Sequence, residues 1–328
     1  MAERLAIETF LQGSGPVVDV RTPAEFAQGH IPGARNLPLF SDGERAEVGT
    51  AYKQQGRQEA VQLGLSLVGP KLAALGTTLT AWSTGAAGAP LRIHCWRGGM
   101  RSGSVAWLAD TLDLPCTLLE GGYKAYRRWV LAQLEQPWPL RLLGGRTGTG
   151  KTDLLLTLRD RGVAVLDLEG LAHHRGSSFG NLGLPPQPSN EHYENRIAAV
   201  LQAQVGATAI WVEAESVQVG RCRVPSGVWR QMQQAPLLEI QRPLEERLRH
   251  LVAVYGVQDP EALAEATSRI GKRLGPQRTA AALEAIARRD WSKACRQMLD
   301  YYDRCYDREL EQHGDGEAER LLGSVELG

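Results

Sequence analysis

The chain has 328 residues, of which 43% are hydrophobic and 23% charged, with 37 basic residues balancing 37 acidic ones. That length exceeds one typical core and predicts two α/β-sized domains, while the ordinary apolar content excludes wholesale disorder. A formal net charge of zero excludes a global field that draws the chain to nucleic acid, but not a local basic face. Met1 to Phe10 carry Glu3, Arg4 and Glu8 and lack an apolar signal core. No apolar run nears the roughly 20 residues of a membrane span. The cysteines, Cys95, Cys116, Cys222, Cys295 and Cys305, are scattered with no C-x-x-C pair. They argue against a disulfide framework and against a zinc site, and they fit a reducing cytoplasm.

Short β-rich runs alternate with helical stretches through the first half, which predicts an α/β domain. Strands are expected at Pro16–Val20, at Leu91–His94 running straight into Cys95, and at Cys116–Leu119. A polar helical insertion is expected between Ser41 and Leu67, and a helix from Tyr123 to Leu134. Gln136-Pro137-Trp138-Pro139 then breaks the pattern, because two prolines so close cannot continue a helix. The expected domains are therefore residues 1–137 and 138–328. In the second, strands are expected at Leu140–Leu143, Val163–Asp167 and Ala209–Glu213. The stretch from Gly176 to Asn190 is too polar and broken for a core element and is a candidate lid. From Pro243 onward the pattern is almost continuously helical, with a polar stretch expected to fray from Gly314 to Glu319.

His94-Cys95-Trp96-Arg97-Gly98-Gly99-Met100-Arg101-Ser102 places a cysteine at a strand end, before glycines and a helix. Glycines let successive backbone N–H groups turn inward as an anion-binding nest, and the helix adds its positive N-terminal end. A thiolate there is stabilised, so Cys95 is the candidate nucleophile. Upstream lie Asp19-Val20-Arg21-Thr22-Pro23-Ala24-Glu25-Phe26 and Gly29-His30-Ile31-Pro32-Gly33-Ala34; downstream lies Leu119-Glu120-Gly121-Gly122-Tyr123. In that order these motifs resemble rhodanese domains, which carry sulfur or selenium on such a cysteine. Asp19, Arg21 and Glu25 are expected to be a structural ion-pair cluster holding the loops. Cys95 to Arg101 is spaced C-x5-R, whereas sulfur-carrying rhodaneses usually show C-x4-R. The wider spacing resembles the phosphatase-like members and suits a phosphate oxyanion.

Gly145-Arg146-Thr147-Gly148-Thr149-Gly150-Lys151-Thr152 satisfies G-x-x-x-x-G-K-[ST] between a predicted strand and a predicted helix, the context of a P-loop. Gly145, Gly148, Gly150, Lys151 and Thr152 are the expected diphosphate-binding residues, with the Thr152 hydroxyl able to hold Mg2+. Asp167 and Glu213 are candidate acidic partners of that ion, and no protein-bound metal site is expected. No adenine or guanine reader stands out.

Joined in one chain, these two halves resemble the tRNA 2-selenouridine synthase family. The resemblance includes His174-Arg175-Gly176-Ser177-Ser178-Phe179-Gly180, Gln187-Pro188-Ser189-Asn190, Glu213-Ala214-Glu215-Ser216 and Trp229-Arg230-Gln231-Met232-Gln233-Gln234-Ala235-Pro236. A departure lies at Val217, where a basic residue more often follows the Glu-Ser pair. The resemblance implies a rhodanese-like α/β domain followed by a P-loop NTPase-like α/β domain with a helical C-terminal part. It also implies geranylation of a wobble 2-thiouridine by geranyl diphosphate, then replacement of the geranylthiol by selenium from selenophosphate. No cofactor is expected to be tightly bound. Cys95 would take selenium as a perselenide or activate selenophosphate in the nest. His174, Arg175, Ser177 and Glu215 are candidate substrate contacts. The implied partners are a tRNA anticodon stem-loop and a selenophosphate-producing enzyme, with no membrane. Arg221, Arg223, Arg230, Arg242, Arg247, Arg249, Lys272, Arg273, Arg278, Arg288 and Arg289 are candidate RNA contacts. Two other readings stay open: a phosphatase-like domain fused to an NTPase or kinase, and a binding module without chemistry.

Overall fold

The computed structural model describes residues 2–86, 88–312 and 321–326. The chain divides into two compact units, residues 1–133 and 134–328. The first unit contains β1 (Glu3–Leu5), α1 (Ile7–Gln12), β2 (Val17–Asp19), α2 (Pro23–Gln28), β3 (Arg35–Asn36) and α3 (Asp42–Gln54). It continues through α4 (Arg57–Val68), α5 (Leu72–Thr84), β4 (Leu91–His94), α6 (Met100–Thr111), β5 (Cys116–Leu119) and α7 (Gly122–Glu135). Its strands form a parallel sheet in the order β1-β5-β4-β2-β3, which puts the strand leading to Cys95 in the middle. Val18, Ile93, Leu91 and Leu118 from the strands pack with Leu75 and Leu79 of α5 and Val105 and Ala109 of α6. Two helices start where the sequence offers capping boxes, Thr22 with Glu25 on α2 and Ser41 with Glu44 on α3. The insertion expected between Ser41 and Leu67 is the helical pair α3 and α4.

The second unit opens with β6 (Leu140–Gly144), α8 (Lys151–Asp160), β7 (Val165–Leu166), α9 (Leu168–Ala172), α10 (Asn190–Ala203) and β8 (Ile210–Glu213). A small hairpin, β9 (Gln218–Val219) with β10 (Cys222–Arg223), precedes α11 (Ser226–Met232) and β11 (Leu237–Gln241). Helices α12 (Leu244–Tyr255), α13 (Pro260–Arg269), α14 (Gly271–Leu274), α15 (Pro276–Ala287) and α16 (Trp291–Gln312) follow, and β12 (Leu321–Glu326) ends the described chain. This sheet is also parallel, in the order β12-β11-β6-β8-β7, so the strand before the P-loop is again central.

Two expectations change. The C-terminal part is helical only through α16; β12 then pairs with β11, whose outer edge would otherwise leave backbone donors and acceptors unpaired. The stretch from Gly176 to Asn190 has no regular element up to α10, yet it contributes to a core. Phe179 is buried with Leu263, Ala266 and Ile286, and the Ser177 hydroxyl meets the Tyr255 hydroxyl at 3.2 Å. A glycine-rich segment can still anchor through a single aromatic side chain, which composition does not reveal. Gly314–Glu319 lies outside the described residues.

Behind β2 sits a buried ion pair. The Arg21 guanidinium donates to both Asp19 carboxylate oxygens, at 3.0 and 2.6 Å, and to the Gly29 carbonyl at 2.6 Å. Its carbon centre lies 3.6 Å from the Tyr123 ring centroid, so one side chain ties β2, the loop after α2 and the start of α7. Burial raises the Asp19 carboxyl pKa, but His94 and Arg21 together bring it below its ordinary 3.8. Arg21 is the charge that persists at neutral pH, because burial lowers the pKa of His94. Asp19→Ala leaves a buried guanidinium without its counter-ion and is expected to lower stability by about 3–5 kcal/mol in urea unfolding. The sign in pH follows: the unfolded carboxyl takes up its proton first as pH falls. The wild-type advantage over Asp19→Ala is therefore full above the ordinary 3.8 and shrinks as pH drops through the lower folded value.

Candidate functional site

The Cys95 loop is set by backbone approaches that only glycine allows. Gly98 has φ +65° and Gly122 has φ +60°, and a Cβ on Gly122 would lie 2.4 Å from both the Cys95 carbonyl and the Gly98 nitrogen. The first amides of α7 therefore reach the loop: Tyr123 N–H donates to the Cys95 carbonyl at 2.8 Å and Lys124 N–H to that of Trp96 at 2.9 Å. Arg4 on β1 donates to the Gly98 carbonyl at 2.6 Å. With the carbonyls held outward, loop amides face the sulfur. Burial works against the Cys95 thiolate, but the Ser102 hydroxyl at 3.3 Å, the amides of Ser102 and Arg97, and the Arg101 charge outweigh it, so its pKa falls. Trp96, Arg97, Gly99 and Met100 are exposed at the rim. Arg101 pairs with Glu25 at 2.6 Å, and Asp19, Arg21 and Glu25 form the structural cluster described above rather than touching the sulfur. Ser102, one residue past the C-x5-R span, was not singled out by the sequence; its position in the first turn of α6 is the signal that points it at the thiol.

In the second unit, β6 runs into a turn in which Gly145, Gly148 and Gly150 all have positive φ, at +139°, +81° and +82°. Gly150 caps α8, so the amides that follow lack intrahelical partners. Lys151 Nζ donates to the Gly145 carbonyl at 2.8 Å, which folds the ammonium back over the loop. Arg247 supports the loop from behind: it donates to the Thr147 carbonyl at 2.8 Å and doubly to Asp303 at 3.0 and 2.5 Å. It is buried at 4% exposure, so it is a loop support and not the RNA contact expected of it.

A cleft of about 470 Å³ joins this loop to Arg175, Ser177, Glu169, Glu213 and Glu215. Oxygens of the three glutamates lie within 4.8 Å of one another, and the Thr152 hydroxyl donates to Glu169 at 3.3 Å. Burial, then repulsion from Glu215 and Glu213, raises the Glu169 pKa; burial also raises that of Glu213, against the pull of Lys151. Glu213 Oε1 is buried with no hydrogen-bond partner. A hard, oxygen-only set with an orphaned carboxylate oxygen fits Mg2+. Asp167 is instead the N-cap of α9, accepting from Gly170 N–H at 2.8 Å. Of the two acidic candidates, Glu213 is in this cluster; Asp167, after β7, is not, because the chain turns at once into α9 and delivers Glu169, two residues on.

Other expected contacts separate. His174 is buried away from the cleft, close beneath Gly180 and Gly220, with its pKa lowered by burial. Gln187 fastens the β9–β10 hairpin by donating to the Ala172 and Val219 carbonyls at 3.1 and 3.0 Å and accepting from Arg221 N–H at 2.8 Å. Ser189 caps α10. Among the candidate basic residues, Arg230 pairs with Glu135, Arg249 with Glu246, Arg278 with Asp300 and Arg288 with Glu284. Arg242 lies beside the loop at Gly150, and Arg221, Arg223, Lys272, Arg273 and Arg289 are exposed.

Comparison with known proteins matches these two units in order. Residues 6–128 match the rhodanese-like domain model, and residues 138–320 match the model of the tRNA 2-selenouridine synthase AAA domain. A tRNA 2-selenouridine synthase of Marinobacter nauticus is 38% identical, over 90% of this chain and 89% of that protein. One from Shewanella denitrificans is 39% identical over 93% and 83%, and one from Serratia proteamaculans 46% over 73% and 64%. With a nucleophile loop and a phosphate loop in the same order as in these relatives, the chain belongs to the tRNA 2-selenouridine synthase family.

Proposed function

We propose that this enzyme converts a wobble 2-thiouridine of tRNA into 2-selenouridine in two steps, one per unit. The observation that carries the reading is the presence in one chain of two different anion cradles. One centres on a cysteine of lowered pKa, the other on a lysine facing three carboxylates.

In the first step the second unit binds geranyl diphosphate. Lys151 and the amides from Gly148 to Thr152 take up the negative charge that grows on the diphosphate as its C–O bond breaks. The uridine sulfur attacks the allylic carbon, a C–S bond forms, diphosphate leaves with the electron pair, and the base gives up its N3 proton. Mg2+ held by Glu169, Glu213, Glu215 and Thr152 would share the diphosphate charge. Alkylation turns a poor leaving group into a neutral thiol.

In the second step the nest after β4 seats the phosphate end of selenophosphate. The Cys95 thiolate attacks phosphorus, an S–P bond forms and the Se–P bond breaks, leaving selenium as a selenide nucleophile. Selenide adds at C2, the C–S bond breaks and geranylthiol departs; water then clears the phosphoryl group from Cys95. Selenium stays at the selenide level throughout, whereas a perselenide would require an oxidant, and the C-x5-R spacing suits a tetrahedral phosphate. An enzyme that makes selenophosphate is the implied supplier. Arg221, Arg223, Lys272, Arg273 and Arg289 are available to RNA phosphates. The C-x5-R spacing also favours one second reading, a phosphatase-like unit joined to an NTPase or kinase. Turnover of an aryl phosphate that Cys95→Ser abolishes, without selenation, would support it.

Cys95→Ala is expected to slow selenation of pre-made S-geranyl tRNA by about 100-fold or more while geranylation stays within about twofold, since alkylation does not use the thiolate. Near wild-type selenouridine formation by the mutant, measured by nucleoside mass spectrometry, removes Cys95 from the mechanism. Lys151→Ala is expected to do the reverse, cutting single-turnover geranylation by about 100-fold or more and sparing selenation of S-geranyl tRNA. Normal geranylation by that mutant, or a requirement for ATP hydrolysis in the wild type, would make the second unit a conventional NTPase.

A further inference from the structure

The first unit carries a second concave feature, which takes no part in holding the Cys95 thiol. It is a groove of about 910 Å³ between the helical pair α3 and α4 and a face of α6. Its floor is carbon: Phe40, Val68, Leu75, Val105 and Leu108 are buried there. Its walls are largely apolar too, yet they face solvent. Tyr52, Leu65, Met100 and Trp107 line the groove and are each more than half exposed. Single exposed apolar side chains need no explanation, but a contiguous set around a concavity marks a binding site. On α6, Met100, Gly103 and Trp107 follow one another at helical spacing, and a Cβ on Gly103 would meet nothing within 4 Å. The groove runs up to the Cys95 loop. Gly99 and Arg101 line it, as does Arg4, whose guanidinium donates to the Gly98 carbonyl.

This lining selects a ligand class. A sugar or an anion laid on the carbon floor would leave polar groups unpaired, whereas a hydrocarbon chain gains from the same surface. Small-ligand sites occupy roughly 300–1,000 Å³, so the groove has room for a chain and not only a methyl group. Its continuity with the Cys95 loop calls for a ligand whose other end reacts there. We propose that this groove seats the S-alkyl chain of the alkylated base while selenium displaces it. Burying the chain holds the C–S bond at the loop, so that a part of the substrate that does not react positions the part that does. The helical pair α3 and α4, a polar insertion by its sequence, thereby gains a role as one wall of the site. The inference rests on the reading that the first unit acts on an S-alkylated uridine. It adds that this unit itself recognises the alkyl group, through a groove that the phosphate loop does not share.

The test is single-turnover selenation by the full chain at limiting RNA affinity. The substrates are selenophosphate and anticodon stem-loop RNAs that carry pre-made S-methyl or S-geranyl 2-thiouridine. Both groups leave as alkanethiols of similar acidity, so a difference between them reports the chain and not the leaving group. Wild type should prefer the S-geranyl RNA by at least about tenfold, the effect of roughly two buried methylene groups. Gly103→Leu, which puts a side chain into the open space of the groove, should shrink that preference by about fivefold or more, through the S-geranyl RNA alone. Leu65→Ser, at a position too exposed to threaten the fold, should shrink it by about threefold and decides the matter if Gly103→Leu does not fold. A wild type that selenates neither RNA overturns the two-step reading and the groove with it. Equal selenation of both, or a preference that neither variant moves, overturns the groove and leaves that reading standing. A wild-type dimer that Gly103→Leu dissociates in sedimentation would make the groove a contact between copies of the chain, and the proposal falls.

Discussion

Both sites depend on one backbone constraint: a central parallel strand must end, turn and enter a helix whose first amides have no partners within it. After β4 the turn passes through Gly98 at positive φ, after β6 through three such glycines, and in each case the amides converge on a space in which negative charge is favoured. The central place of both strands puts these turns at the carboxyl edge of a sheet, where helices on the two faces leave a crevice. The two units differ in what stands in the crevice. A thiol of lowered pKa stands in the first, and the Lys151 ammonium, folded over its loop, in the second.

The same physical terms move neighbouring pKa values in opposite directions. Burial is the largest cause that raises the thiols of Cys116, Cys222 and Cys295. At Cys95 the same penalty is outweighed by hydrogen bonds from Ser102 and Arg97 and by the Arg101 charge, so its pKa falls while those of the other three rise, although all four are free and at least partly buried. In the second unit, Glu169 and Glu213 are buried against other carboxylates and rise. A cation on these oxygens would relieve that repulsion and bring positive charge beside Lys151.

Much of this was legible before any coordinates. The nest after β4 follows from a cysteine at a strand end followed by two glycines, and the P-loop from a complete eight-residue pattern between strand and helix. The ion-pair reading of Asp19, Arg21 and Glu25 also holds, since these residues bind Arg21, Arg101 and backbone rather than the thiol. Less legible were Arg247, whose basic side chain on a C-terminal helix resembles an RNA contact until Asp303 and the Thr147 carbonyl are placed around it. His174 belongs to a motif that otherwise lines the cleft through Arg175 and Ser177, but its ring turns beneath the hairpin.

The sequence by itself determined the two α/β units and the two loops around Cys95 and Lys151, because those features depend on residues adjacent in the chain and on glycine's access to positive φ. Tertiary structure decided what depends on distant segments meeting. The Cys95 loop needs amides from α7, and the carboxylate cluster needs α9 beside the end of β8. The apolar cluster around Phe179 needs an irregular stretch to meet α12, α13, α15 and α16. Side chains far apart in sequence share no local signal; only packing, which buries carbon against carbon, brings them to one place.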